Sequence, residues 1–281
     1  MMVPQEISMI MSSDPQNGAI NRSSDGSYFE VQLQDGLSLP AEALNANLSV
    51  EEATIWWSVP NVITGSNDKM YITGPNTADV VNNYIITIPQ GLYDLNGINQ
   101  AILRELENAG AKINPNTLVS FSPDEATQKV EMRINYSTVS VDFTQNDTPK
   151  TILGFNSLVY GPYPATPIAI LAPNVAAFNQ VNYFLIHSDL TNKGIRFNNT
   201  YTQVVSQVLI DVSPGSQIVN RPFNPARIPV SELVGAKRNN IRMWLTDDNN
   251  NRVNTNGEFW SARLVIRYFK PYVIANENIR K

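Results

Sequence analysis

Residues 245–269, LTDDNNNRVNTNGEFWSARLVIRYF, decide how the chain is read. After Glu258, Trp260, Ala262, Leu264, Ile266 and Tyr268 alternate with Ser261, Arg263 and Arg267. That period of two is a strand with one apolar and one polar face. The Asp and Asn run before it admits two readings. Counting Asp247 as position 1, Asn249, Asn251 and Glu258 fall at 3, 5 and 12 of a calcium loop. Arg252, however, occupies position 6, where a sharp turn is normally made by Gly and where a cation adds repulsion. The flanks are strands, not helices. A hairpin tip turning on Asn256-Gly257 is the favoured reading, with Asp247, Asn249, Asn251 and Glu258 kept as a weak metal candidate.

The same strand pattern recurs outward from this stretch. Phe29, Val31 and Leu33 alternate with Glu30, Gln32 and Gln34, and Ile55-Trp56-Trp57 closes a second β-rich run at Pro60. Residues 182–190, 202–215 and 240–247 are further strand-length runs between Gly, Pro and Asn clusters. Residues 1–27 lack periodicity and are expected to form an N-terminal arm more mobile than the body.

One block differs. Leu95, Ile98, Ile102, Leu106 and Ala109 are spaced three and four apart and predict an amphipathic helix. Asp94 or Asn96 is positioned to cap it, and Gly110 to end it. Strands are expected before it and after it, the last at TILGFN (151–156). Together they make a compact α+β unit over 66–160. The run VYGPYPATPIAILAPN (159–174), rich in proline, reads as a stiff boundary linker. The remaining segments, 28–65 and 161–281, are assigned to one discontinuous β domain.

Composition excludes several functions. The 281 residues carry a net charge of −5 with 16% charged side chains, so no basic field exists to attract nucleic acid. Cysteine is absent, which removes disulfides, thiolate nucleophiles and Cys-ligated metals. No signal-peptide pattern and no apolar run long enough to span a membrane as a helix is present. The 34 Asn produce N-x-S/T triplets at Asn21, Asn47, Asn135, Asn146 and Asn198, about as many as chance supplies. No nucleotide loop, H-E-x-x-H or other cofactor motif occurs. The single histidine, His187, adjoins Ser188 and Asp189, but neighbours on a strand face opposite ways and cannot form a relay. The chain is expected not to be an enzyme. Of Trp56 and Trp57, one is expected in the core and one outside.

The order FEVQLQDGLSLP, ATIWWSVPNV, ITIPQGLYDLNGINQAILREL, TILGF, then NYFLIHSDL, IDVSPG, ARIPVSEL and the opening stretch resembles penton (vertex) capsid proteins of virophages and Polinton-like viruses, over roughly residues 28–270. The resemblance implies a single jelly-roll β-sandwich with an inserted α+β domain. It also implies a homopentamer at the fivefold vertices of a virion, with the major capsid protein, and a spike protein or host receptor, as expected partners. About 170 to 190 residues outside the insert suffice for one eight-strand roll and not for two. The tail VIANENIRK (273–281) and the arm are then suited to ordering against neighbouring subunits. A receptor- or carbohydrate-binding spike module is the alternative, and a β-sandwich hydrolase a weaker third.

Overall fold

A computed structural model describes residues 2–179, 181–197 and 199–271. The tail at 273–281 and the Asn198 triplet lie outside the described residues. The chain divides into two compact units, one of residues 1–58 with 181–281 and one of 59–180.

In the first unit β1 (Met2–Ser12), β2 (Ala19–Ile20), β3 (Tyr28–Ser38) and β4 (Leu44–Trp56) run in sequence. Strand β1 is a correction to the expected arm. It pairs with the C-terminal strand from Met2↔Pro271 to Ser12↔Ser261. The sequence hid it because its outward positions include Met2, Pro4 and Ile10, which blur the alternation. Its inward residue Met11 is buried, and Ser13 just beyond exchanges hydrogen bonds with Trp260.

The second unit begins with β5 (Lys69–Pro75) and β6 (Val81–Thr87), followed by helix α1 (Leu95–Asn108). The Asp94 carboxylate accepts the Gly97 amide at 2.6 Å, and Gly110 adopts φ +76°. Ile98, Ala101, Ile102 and Leu106 face the unit's core. Next come β7 (Val119–Asp124), β8 (Lys129–Ile134), β9 (Ser140–Asp142), α2 (Lys150–Leu153), β10 (Val159–Tyr160) and β11 (Ile168–Leu171). They form one sheet of order β10-β9-β5-β6 and another of order β11-β8-β7. The core between them includes Met70, Ile72, Ile98, Met132 and Phe143.

Two expectations are corrected in this unit. TILGFN begins as the short helix α2 and stops where Gly154 turns to φ +79°. That left-handed conformation is not a strand's, and a side chain at Gly154 would strike the Asn174 carbonyl, so only glycine fits there. The proline-rich run is not a linker outside the unit. Ile168–Leu171 pairs with β8 as an edge strand, where neighbouring prolines forfeit no ladder bond. The unit accordingly spans 59–180, not 66–160.

Returning to the first unit, the chain makes β12 (Tyr183–Ser188), β13 (Arg196–Phe197), β14 (Thr200–Tyr201), β15 (Val204–Leu209), β16 (Gln217–Asn220), β17 (Ile228–Pro229), β18 (Lys237–Thr246) and β19 (Ser261–Pro271). Eight of its strands build two sheets, of order β1-β19-β4-β16 and β15-β12-β18-β3. Their pairing is nested. The first of the eight pairs with the last, β3 with β18, β4 with β16, and β12 with β15, all antiparallel. That is one long antiparallel ribbon rolled around a core, the jelly roll. Between the sheets Phe29 meets Trp260 edge-on at 4.9 Å, and Trp57 meets Phe184 at 5.9 Å.

Leu264 is fully buried in the central strand of its sheet. Leu264→Ala is expected to lower the unfolding free energy by about 2–5 kcal/mol, read as a denaturant midpoint shift at unchanged m-value. A loss below about 1 kcal/mol would contradict the assigned inward face.

Candidate functional site

The opening loop is not a hairpin tip. Strand β18 pairs with β3 and β12, whereas β19 pairs with β1 and β4, so residues 247–260 carry the chain from one sheet to the other. The Asn256-Gly257 turn exists nonetheless. Both residues have positive φ (+53° and +86°), and the Glu258 amide donates to the Thr255 carbonyl at 3.0 Å. The strong twist of such a turn serves a change of sheet as well as a hairpin.

The four calcium-pattern residues are employed in building this loop. Asp247 Oδ1 accepts the amides of Asn249 (2.9 Å) and Asn251 (2.7 Å), and its Oδ2 accepts Asn251 Nδ2 at 3.3 Å. Glu258 belongs to the second turn. An orphaned buried carboxylate oxygen in the loop is Oδ1 of Asp248, which lies outside the pattern. Among the described residues no three His, Cys, Asp or Glu side chains are grouped to hold a metal. Arg252 lies over the rings of Trp244 (5.1 Å) and Tyr28 (5.4 Å), so it pins the loop onto the outer face of its sheet.

His187 stacks on the other side of that aromatic row, 5.1 Å from Trp244 and nearly parallel to it. Its Nε2 lies 2.9 Å from Thr246 Oγ1, and only 4% of the residue is exposed. Ser188 and Asp189 do not join it. Ser188 Oγ accepts the Leu190 amide, and Asp189 Oδ1 accepts the Arg242 amide. Burial first, and the charge of Arg252 second, hold His187 down at about 4 against 6.5. Burial pushes Asp189 up.

Residues that sequence reasoning missed lie at one lateral edge of the roll. Strands β15 and β16 are the outermost strands of the two sheets on that side. Between them is a groove of about 300 Å³ lined by Gln207, Leu209, Asp211, Ile218, Val219 and Asn220. Leu209 is 64% exposed, Val219 50% and Phe223 fully exposed. Trp56 lies opposite Gln217 on the same outer face, while Trp57 is buried, as expected for adjacent strand residues. The signal for this edge was the bare Phe223 in RPFNPAR, an apolar residue among turn formers. A second concavity, of about 260 Å³, adjoins the irregularity at Tyr268 and is lined in part by Arg227 and Arg267. Arg267 is already engaged by Glu6 and Glu51.

No family model and no curated protein matches the chain. Among solved structures it is similar to the mavirus penton protein, at 12% identity and a TM-score of 0.45, over 94% of this chain and 100% of that one. A likeness so distant carries no functional argument. Among the described residues no helix is long and apolar enough to cross a membrane.

The His187 shift has a consequence for stability. The unfolded chain takes up a proton near pH 6.5 that the folded chain refuses until about pH 4. Stability linked to this group is therefore complete above pH 6.5 and lost as pH falls toward 4, by on the order of 3 kcal/mol. His187→Gln, which keeps an amide for Thr246, is expected to flatten the urea-midpoint profile between pH 4.5 and 7 relative to the native chain. Equal slopes would show that the folded chain protonates His187 as readily as the unfolded one, against the assigned burial.

Proposed function

We propose that the chain is a structural subunit of an icosahedral virion, a penton that assembles as a homopentamer at the fivefold vertices and acts by geometry, not catalysis. The observation that carries this reading is the nested eight-strand pairing, interrupted once, after β4, by an autonomous α+β unit. The sequence blocks that resemble virophage and Polinton-like vertex proteins fall on strands and connections of that roll and on the insert. Support for a non-catalytic role comes from the lone histidine, which is buried and already partnered.

Five copies closing head to tail each need two unlike surfaces, and closure removes the open end that would grow a filament. The roll offers unlike lateral edges. One carries Leu209, Val219 and Phe223; the other is formed by β1, which exposes Met2 and Ile10. Two unlike apolar edges fit a heterologous contact better than an isologous one. The major capsid protein is the partner expected around such a ring. Trp56, at 36% exposure, is the one observation favouring a carbohydrate-binding spike, but its neighbour is buried, so the pair forms no stacking platform.

Light scattering of the purified chain is expected to give five times the chain mass. Phe223→Asp combined with Val219→Asp should shift it to smaller species while the melting temperature of the folded chain moves little, since both side chains are exposed. A native trimer would favour the spike, and a pentamer indifferent to both substitutions would move the contact elsewhere.

A further inference from the structure

The insert carries an open sheet edge whose sequence is complementary to itself. In the sheet β10-β9-β5-β6, β10 ends one side after two residues and is followed by Gly161 and Pro162. Strand β6 ends the other side with seven residues, and among the described residues nothing pairs with its outer edge. From Val80 to Ile88 the sequence is VVNNYIITI, without one charge or proline. Natural edges are normally blunted by such residues. The other sheet of the unit has that protection, with Pro123 and Asp124 on β7 and Pro167 and Pro173 flanking β11.

The phase of the free backbone groups follows from the two ends of the ladder. Asn76 donates to the Val80 carbonyl at 2.8 Å, and Ile88 donates to the Asp68 carbonyl at 2.6 Å. Hydrogen-bonded positions alternate along an antiparallel pair, so residues 80, 82, 84, 86 and 88 bond inward to β5. The N–H and C=O groups of Val81, Asn83, Ile85 and Thr87 therefore point outward. Their side chains share the outer face of the sheet, where Val81 is 47% and Ile85 65% exposed.

We infer that β6 is a self-pairing edge, at which two copies of this chain join antiparallel about a twofold axis through Asn83. In that register Val81 faces Ile85 of the second copy, Ile85 faces its Val81, and Asn83 faces Asn83. Outward-pointing backbone groups meet outward-pointing ones at all three places. Apolar β-branched residues meet across the strands on the exposed face. Asn83 Oδ1 is held by Thr73 Oγ1 at 2.8 Å, which leaves the amide donors for the second copy. Shifting the axis to Tyr84 instead places Ile85 against Asn83 and loses the apolar match. The outward-facing positions Val81, Asn83 and Ile85 read apolar-polar-apolar in both directions, as an isologous contact requires. A ring of five has no twofold axis relating its members. The pairing thus joins chains of different rings, or free chains, and does not rest on the vertex reading.

The absence of cysteine makes the test direct. Facing hydrogen-bonded residues have Cα atoms about 5.5 Å apart, within disulfide reach. Under mild oxidation Asn83→Cys is expected to give a disulfide-linked pair of chains rapidly. Val81→Cys alone should not, whereas a mixture of Val81→Cys and Ile85→Cys chains should. Independently, Ile85→Lys is expected to weaken the association at least about tenfold by sedimentation, since it sets a charge against Val81. Asn83→Cys cross-linking no faster than the likewise exposed control Val175→Cys would overturn the pairing, as would association unaffected by Ile85→Lys. A native mass that is no multiple of five, with the cross-link intact, would instead remove the vertex reading alone.

Discussion

The roll depends on a last strand that is bonded along both edges. Strand β19 pairs with β1 through eleven residues on one side and with β4 on the other, so the first and last described segments of the chain are neighbours. Neither β1 nor β4 has its full partner set until the C-terminal strand arrives. Contacts of such separation are slow to form, because loop closure precedes any gain from burial. Closure entropy grows only slowly with loop length, however, by about 0.6 kcal/mol per doubling. A 122-residue unit placed between β4 and β12 is tolerable for that reason, provided it supplies its own core.

The two faces of that sheet have different tasks. Inward, Leu48, Val50, Ala262, Leu264 and Ile266 are buried and supply the driving force. Outward, Arg267 reaches Glu6 on β1 at 2.9 Å and Glu51 on β4 at 2.7 Å. Exposed pairs of this sort contribute at most about 1 kcal/mol each, far less than the core. Their more consistent effect is on register, since a slip of one residue would turn every arginine inward. The second sheet shows the same economy with a buried acid. Glu30 accepts from Asn21 Nδ2 and Asn240 Nδ2, so a position that alternation marks as wet is dry but satisfied.

Asparagine is the residue by which this chain turns corners. Among the described residues six other than glycine have positive φ, and Asn21, Asn45, Asn250 and Asn256 are four of them. Asparagine tolerates the left-handed region because its short polar side chain bonds locally. The abundance that produced N-x-S/T triplets and a calcium-like spacing in the sequence is thus a record of backbone geometry. The Asp247 side chain, gathering the amides of Asn249 and Asn251, is the same device made with a carboxylate.

The sequence by itself determined the local features: the period-two strands, the helix with its Asp94 cap, the division of Trp56 from Trp57, and the Asn256-Gly257 turn. These follow from side-chain alternation, helical spacing and φ preferences, all of which act over a few residues. Tertiary structure alone decided which strands are neighbours. It turned an expected arm into β1, because its ladder partner lies some 250 residues away, and made the proline-rich run an edge of the insert. It sent β18 and β19 to different sheets although a tight turn lies between them. Local sequence records what a strand prefers to bury; only the closed ribbon fixes what it is buried against.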